Sequence, residues 1–437
     1  MCDTLSQPIS YIINLSFRQS VFPVSWKIAD VCPVPKSKPV DKDQLRPISL
    51  LPVLSKVCER SILDYYHDFL LRSYDDCQFA YRPKSSTTCA LVFIHETVLC
   101  LLDDIDVGAV RIITFDMSRA FDRIPHDMLL SCLCSLNIPN RDLFTDWINS
   151  YLSNRQQRVR IGNFKSSLCY VSSGVPQGSI LGPLLFAIYF SSYKPCHSKS
   201  RVVKYADDIT LIIPVCKTSF DDMSLVNEEI SFFENWCDNH KMCINLTKTK
   251  VLNVNFSSKF LTPIPLFDNV TVVKLLGVYF NSKLTWRDHF DFVSKKVSSR
   301  LYVLRTLKPF LDHNELVTVF YALIQSLFDY ASPLFMNAPD YLDSKVISLC
   351  KRAFRIIHGS SVELCHLCDM LAPIKRREVL AMRLFKDALL SPLHMLHGLL
   401  PPLSQRSRRL ILPRARTQRK TDAFIVTCSK LYNSSSL

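Results

Sequence analysis

Two adjacent carboxylates, Asp207 and Asp208, stand in Tyr205-Ala206-Asp207-Asp208 between two apolar runs, Val202-Val203 and Ile209 to Ile213. Like charges between strand-like segments are costly to bury unless a cation holds them. A third carboxylate, Asp116, lies upstream in Phe115-Asp116-Met117-Ser118-Arg119-Ala120-Phe121-Asp122, just after the apolar pair Ile112-Ile113. Oxygen ligands delivered from separate strand ends suit hard divalent cations such as Mg²⁺, which keep waters for substrate phosphates. Two such ions roughly 3.5–4 Å apart are the usual machinery of nucleotidyl transfer. Taken singly, an Asp pair on a hairpin is more often a solvated turn and a Phe-Asp pair is commonplace, so these residues alone do not decide the reading.

The elements that must position these carboxylates can be read from periodicity. Arg111 to Phe115 predicts a buried strand, and Asp127 to Leu136 a helix with Asp127 as its cap. Val159 to Val171 predicts strand pairs, and Pro183 to Ile188 opens a helix with Pro183 in its first turn. Val202 to Ile213 predicts a hairpin with the Asp pair at its turn, Leu225 to Asn239 an amphipathic helix, and Val251 to Phe256 a further strand. Helices and strands arranged around an antiparallel hairpin predict an α+β fold, not a parallel doubly wound sheet. Upstream, Pro23, Pro33, Pro35, Pro39, Pro47 and Pro52 break the chain into short strands and turns, with Lys27, Lys36, Lys38, Lys42 and Arg46 interleaved. Helical spacing runs from Ser55 to Leu71, and a polar loop, Gln78 to Thr88, leads into a helix to Leu102. Beyond Lys274, Arg287 to Leu307 and Asn314 to Leu327 read as helices.

Bulk properties narrow the class. The chain has 437 residues, 48% hydrophobic, which suits a large core in two or three subdomains and argues against disorder. A formal net charge of +14 fits a polyanionic partner, nucleic acid first and an acidic membrane surface second. Between Pro401 and Lys420 stand Arg406, Arg408, Arg409, Arg414, Arg416, Arg419 and Lys420 with no acidic residue, a segment read as a contact to phosphates, with a solvated charge run as its rival. The 17 cysteines, scattered singly as at Cys89, Cys100, Cys132 and Cys134, read as small buried hydrophobes in a reducing compartment. Neither a signal peptide nor a convincing membrane span is seen, so nucleus or cytoplasm is the expected location and secretion is not.

Further blocks keep company with the aspartates. They are Leu45-Arg46-Pro47-Ile48-Ser49-Leu50-Leu51, the run Ser173-Gly174-Val175-Pro176-Gln177-Gly178-Ser179-Ile180-Leu181-Gly182-Pro183, Asn245-Leu246-Thr247-Lys248-Thr249-Lys250, and Leu275-Leu276-Gly277-Val278. The ordered series, from about Trp26 to about Trp286, closely resembles the reverse transcriptase domain of non-LTR (LINE-type) retrotransposons. The resemblance implies a right-hand polymerase fold: fingers over 1–110, a ferredoxin/RRM-like palm over 111–255, a primer-grip region and start of the thumb over 256–310, and a helical thumb with a basic C-terminal region over 311–437. It implies an RNA-directed DNA polymerase using an RNA template, a DNA primer, dNTPs and two Mg²⁺ ions, with Mn²⁺ as a substitute. Asp116 and Asp207 would hold both metals with Asp208 assisting, and Asp122 reads as structural. Arg46 would grip the triphosphate, with Lys36 in support, and Phe121 would exclude a 2′-hydroxyl or serve as a core ring. Gln177-Gly178 would support nucleotide and template, Gly178 by close approach of backbone to ligand, and Leu276-Gly277 would lie near the primer terminus. Lys248, or its neighbour Lys250, would protonate pyrophosphate.

The departures from the family matter as well. Met1 falls just ahead of the fingers, so no endonuclease fits, and Tyr189-Phe190-Ser191-Ser192 replaces the usual Tyr-Ile-Asn-Asp. The chain reads as a reading frame cut from a larger element, so a catalytically silent nucleic-acid-binding remnant is the alternative. Cys365-His366-Leu367-Cys368, with Cys350 and His358, is poor support for zinc without a second pair at standard spacing, and His394 and His397 read as core or surface residues.

Overall fold

Two five-stranded sheets, a separate two-stranded hairpin and a helical C-terminal region make up the described residues of a computed structural model, which are 2–35, 45–218, 223–257, 261–359, 372–406 and 409–435. Helix α1 (Cys2–Arg18) leads to an antiparallel pair, β1 (Ile28–Pro35) and β2 (Leu45–Leu50), with Val31 opposite Ser49. Helix α2 (Val53–Ser73) covers the predicted Ser55–Leu71 stretch, and α3 (Thr87–Asp103) starts at Ser86, whose hydroxyl accepts the Cys89 N–H. Strand β3 (Val107–Phe115) is longer than Arg111–Phe115 because Val107 to Val110 are buried apart from Gly108.

Helices α4 (His126–Cys134) and α5 (Arg141–Leu152) come next. Asp127 does not cap α4; Pro125 holds that position and makes no side-chain cap, so Asp127 in the first turn contributes only charge at the helix N-terminus. Strands β4 (Gln156–Ile161), β5 (Phe164–Lys165) and β6 (Cys169–Tyr170) form the expected pairs. They do not join the palm strands, however. Strand β4 runs parallel to β1, with Asp30 opposite Arg158, and completes the N-terminal sheet in the order β2-β1-β4-β5, with β6 on β4. Short, half-exposed strands carry no sign of their sheet partner, so the return of 156–170 to the fingers is invisible to periodicity.

Helix α6 (Gly182–Tyr189), the hairpin β7 (Arg201–Tyr205) and β8 (Asp208–Cys216), helix α7 (Ser224–Asn239), and strands β9 (Lys250–Asn255) and β10 (Asp268–Val270) build the centre. The sheet order is β10-β9-β3-β8-β7, antiparallel except for β10 on β9. Without β10, the four strands stand in the order fourth-first-third-second, the ferredoxin-like arrangement of a β-α-β-β-α-β chain. Alternation along β3 and β8 separates two cores. Ile113, Phe115, Ile209 and Leu211 pack against α2, α4, α5, α6 and α7, while Val110, Ile112 and Ile212 face α3 and the C-terminal helices. Each such side chain, once buried, contributes about 1.5–3 kcal/mol, which stiffens the sheet that carries the acidic residues.

A hairpin, β11 (Val272–Leu275) and β12 (Val278–Asn281), precedes the helical half. That half contains α8 (Arg287–Leu307), α9 (His313–Phe320), a π turn (Tyr321–Gln325), α10 (Ser326–Asp329), α11 (Asp340–His358), α12 (Pro373–Leu390), α13 (Gln418–Thr421) and α14 (Phe424–Ser435). The basic segment is partly structural here: Arg416 donates to the Leu102 and Asp103 carbonyls at the end of α3, and buried Lys420 pairs with Glu96 at 2.7 Å. Arg419 lies 3.7 Å over the Phe256 ring. A charge count sees phosphate ligands in this segment; three of its seven cations are used inside the molecule, Arg416 and Lys420 because α3 offers open carbonyls and a carboxylate, and Arg419 on the Phe256 ring. Arg408, like Lys36, Lys38, Lys42, Cys365, His366 and Cys368, lies outside the described residues.

Cys89, Cys350 and Cys428 are buried thiols as expected, but Cys100 and Cys134 are exposed on outer helix faces and Cys132 is half-buried. His394 is buried and accepts the Leu396 N–H, and His397 bonds the Ala388 carbonyl. Among the described residues no helix is long and apolar enough to cross a membrane.

The deepest charge in the palm is Lys204. Its ammonium, fully buried, donates to Asp75 at 2.5 Å and to the carbonyls of Phe190 and Tyr193. Burial pushes Lys204 below the usual lysine range while Asp75 pulls it back. Removing one partner strands the other charge in the core, so Asp75→Asn should cost about 3–5 kcal/mol. The exposed Arg60–Asp64 pair is worth well under ~1 kcal/mol. Urea midpoints of Asp75→Asn and Arg60→Ala check this, and equal losses would contradict it.

Candidate active site

The β3–β8 ladder ends at Phe115 opposite Ile209. One step further along the same register, Asp116 stands across from Asp208. Both fall on the face of Thr114 and Thr210, away from the Phe115 core. The hairpin closes over two residues, Ala206 and Asp207, because Tyr205 pairs with Asp208. Ala206 takes a left-handed φ of 57°, a conformation this tight turn forces on a residue with a Cβ. Three carboxylates thus gather at the tips of the two central strands. The consequence is electrostatic: Asp208 is pushed up to about 6 by burial first, then by Asp207 and Asp116, with Arg46 pulling the other way. By surface area Asp208 is nonetheless exposed, so solvent screens part of this shift. An oxygen-only donor set in which Asp208 resists ionisation for want of a counter-charge fits a divalent cation.

The backbone around the aspartates is pinned. The Asp116 carbonyl accepts the Asn245 N–H at 2.8 Å, and the Ser118 N–H donates to Cys243. Residues Asn245 to Thr249 form a compact turn, in which the Thr249 hydroxyl and N–H both reach the Asn245 carbonyl and Thr249 is fully buried. Lys248 projects from this turn into a cleft of about 710 Å³ that Asp116, Arg119, Asp122, Gln177 and Asn245 also line. Lys250 instead lies in β9 opposite Thr114. The structure therefore brings Lys248, not Lys250, to the cleft wall with Asp116.

The cleft lies between the N-terminal sheet and the palm, and the loop 173–178 ties the two together. Gln177 gives its carbonyl to the Ser49 N–H at 2.7 Å and donates its amide to Asp122 at 2.9 Å. Gly174 and Val175 donate to the Ile124 and Phe121 carbonyls. Gly178, at φ 118°, has room for no side chain, since a Cβ there would lie 2.8 Å from the Ser49 carbonyl oxygen. The close approach that needs glycine is thus to strand β2 and not to a ligand. Asp122 is structural, as the sequence suggests; burial pushes its carboxyl up, against the Gln177 bond and Arg119.

Phe121 stacks on Phe186, centroids 4.4 Å apart, and is half-buried at the edge of the palm core, outside the cleft wall. Arg46 is exposed on β2, within electrostatic reach of Asp208.

Motif reading passes over three supports. Gln78 accepts the Ala206 N–H with its side-chain oxygen and so holds the Ala206–Asp207 turn from behind. Glu59, fully buried on α2, accepts the N–H groups of Ile180 and Leu181 ahead of α6. Lys204 anchors β7 below the turn. Only Lys204 leaves a trace in the sequence, as a lysine inside the apolar strand Val202-Val203-Lys204-Tyr205.

Comparison with known proteins places the chain in a family. The structure is similar to that of apo telomerase from Candida tropicalis, with a TM-score of 0.44 and 12% identity over 88% of this chain and 72% of that one. It is 30% identical over 321 residues to the probable RNA-directed DNA polymerase from transposon BS of Drosophila melanogaster, covering 68% of this chain and 34% of that relative. To the RNA-directed DNA polymerase from mobile element jockey of the same species it is 29% identical over 318 residues, with the same coverages. The chain thus spans about a third of the length of the curated relatives it matches. The family described as reverse transcriptase (RNA-dependent DNA polymerase) matches residues 34–280, more than half of the 437 residues. By that match and by its non-LTR retrotransposon relatives, the chain belongs to the reverse transcriptase family.

Proposed function

We propose that this chain is an RNA-directed DNA polymerase that extends a DNA primer on an RNA template by adding dNTPs. The observation that carries the reading is the register that sets Asp116 across from Asp208 beside Asp207, raising Asp208 to about 6. Asp116 and Asp207 would hold two divalent cations, with Asp208 assisting and Mg²⁺ the natural occupant. When bound, such ions make the primer 3′-hydroxyl more acidic and neutralise the triphosphate and the departing pyrophosphate.

The chain's own residues supply the rest. Arg46 offers a planar fork to the triphosphate oxygens from the fingers side. Lys248, on the cleft wall with Asp116, carries a proton that the leaving pyrophosphate can take. Gln177, fixed to both Ser49 and Asp122, holds the floor under nucleotide and template. Phe121, braced by Phe186 and accepting the N–H of the cleft-wall residue Val175, would bear on the 2′ position of the sugar from behind that loop. Cations on the surface would meet phosphates of the template–primer duplex, which makes binding salt-sensitive.

Three outcomes test the reading. On poly(rA)/oligo(dT) with dTTP and Mg²⁺ the parent should extend the primer, and Asp207→Asn should lose at least about a hundredfold in rate, since a metal supplies several kcal/mol of charge stabilisation. A soluble, RNA-binding parent that extends nothing would instead mark a silent remnant. Phe121→Ala should raise ribonucleotide use relative to dNTP use, read as the ratio of their kcat/KM values; an unchanged ratio removes the steric role.

The third outcome concerns Asp208 in the absence of metal. Its folded value near 6 lies above the ordinary 3.8, so folding disfavours the charged form. That penalty is absent below about pH 4, grows as pH rises, and is complete above the folded value. In EDTA, Asp208→Asn should therefore have a higher Tm than the parent at about pH 8 and an equal one at about pH 4. A Tm difference independent of pH would refute the assigned repulsion.

A further inference from the structure

The turn between β11 and β12 is made by Leu276 and Gly277, both left-handed, with φ of 42° and 90°. It is held from the helical half of the chain. The Tyr330 hydroxyl donates to the Leu276 carbonyl. The Tyr330 ring lies against Gly277, where a Cβ would come 3.1 Å from Tyr330 Cε1 and 3.2 Å from its hydroxyl oxygen. Glycine is required at this position twice over, by its φ and by that ring.

Tyr330 is itself anchored. It comes directly after α10 and precedes Ala331, which takes a left-handed φ of 55°. Its neighbour Asp329 accepts a two-pronged contact from Arg376 on α12 at 2.7–2.9 Å and a further bond at 2.7 Å from Gln325, the last residue of the π turn. A π turn inserts an extra residue into a helix and re-aims the side chains beyond it; here it delivers Asp329 to Arg376 and Tyr330 to the hairpin. On the other side, Tyr330 comes close enough to Tyr205 to disfavour ionisation of its phenol, after the effect of burial. Tyr205 is the residue paired with Asp208. One side chain of the thumb thus touches the Leu276–Gly277 turn and neighbours the strand that presents the catalytic pair.

We propose that Tyr330 is a positioning residue that fixes the Leu276–Gly277 turn against the β7–β8 hairpin and so sets where the primer 3′ end lies relative to Asp116, Asp207 and Asp208. This rests on the reverse transcriptase reading, since only a polymerase has a primer end to place. It predicts a selective defect. Loss of the hydroxyl frees the turn without touching the nucleotide's own contacts, so primer engagement weakens and nucleotide affinity does not.

Tyr330→Phe and Gly277→Ala test it in the full chain. Tyr330→Phe keeps the ring and removes only the hydroxyl. It should raise the KM for primer–template roughly three- to tenfold, the effect one neutral hydrogen bond supports, with the KM for dTTP unchanged and the Tm lowered by only about 1–2 °C. Gly277→Ala should show the same split, and the double variant should be no worse than the worse single one, because both act on one contact. Hydrogen exchange over Val272–Asn281 should quicken in Tyr330→Phe. Unchanged exchange there, or equal rises in both KM values, would overturn the proposal. If the parent incorporates no dTTP, the polymerase reading fails separately; primer–template Kd by fluorescence anisotropy then serves, a rise in Tyr330→Phe supporting the clamp and no change overturning it.

Discussion

Mutual repulsion among three carboxylates is the constraint around which the palm is built. The β3–β8 register leaves Asp116 and Asp208 no choice but to face each other, and the two-residue turn adds Asp207 beside them. Such a cluster would be relieved by any motion that spread the strand tips apart. The fold denies it that motion. Both faces of the sheet are packed, the Asp116 carbonyl is tied to Asn245, and the turn is tied to Gln78. Burial of Asp208, with repulsion that cannot relax mechanically added to it, is left to be answered by a proton or a cation, which is what the raised Asp208 expresses.

The same logic explains the polar groups buried under the site. Lys204 and Asp75, Glu59 with the Ile180 and Leu181 amides, and Gln177 with Asp122 all lie behind or beside the acidic cluster, and each joins segments remote in sequence. A buried pair of charges adds little net stability, because desolvation consumes most of the attraction. Its worth here is directional. Hydrophobic packing alone tolerates small slides of a strand, whereas a lysine answered by one carboxylate and two carbonyls tolerates none.

The strands that carry the aspartates were legible because their signals are local. Apolar alternation marks β3 and β8, the Asp pair marks the turn, and α8 matches its predicted bounds, Arg287–Leu307. The illegible features depend on partners far along the chain. Lys204 finds Asp75 at a separation of 129 residues and Glu59 finds Ile180 at 121. Gly178 was read as making room for a ligand, but the atom it makes room for belongs to Ser49 in another sheet. Strand β4 had the right type and the wrong neighbours. The arginine-rich segment carried charge that composition assigns to nucleic acid, and part of it caps α3 instead. Composition gives the sign of a charge and never its address.

That last contact sets a clock on biosynthesis. Glu96 sits fully buried on α3, and the cation that neutralises it, Lys420, lies 324 residues further on. At a translation rate of about 5–20 residues per second, roughly 15–65 seconds separate the emergence of the two from the ribosome. Throughout that interval α3 lacks the α13 and α14 surface that covers one side of it, and its glutamate has no counter-ion. The palm can therefore condense early around its other core, but the α3 side stays open to solvent, chaperones and proteases until the stretch that carries α13 and α14 arrives.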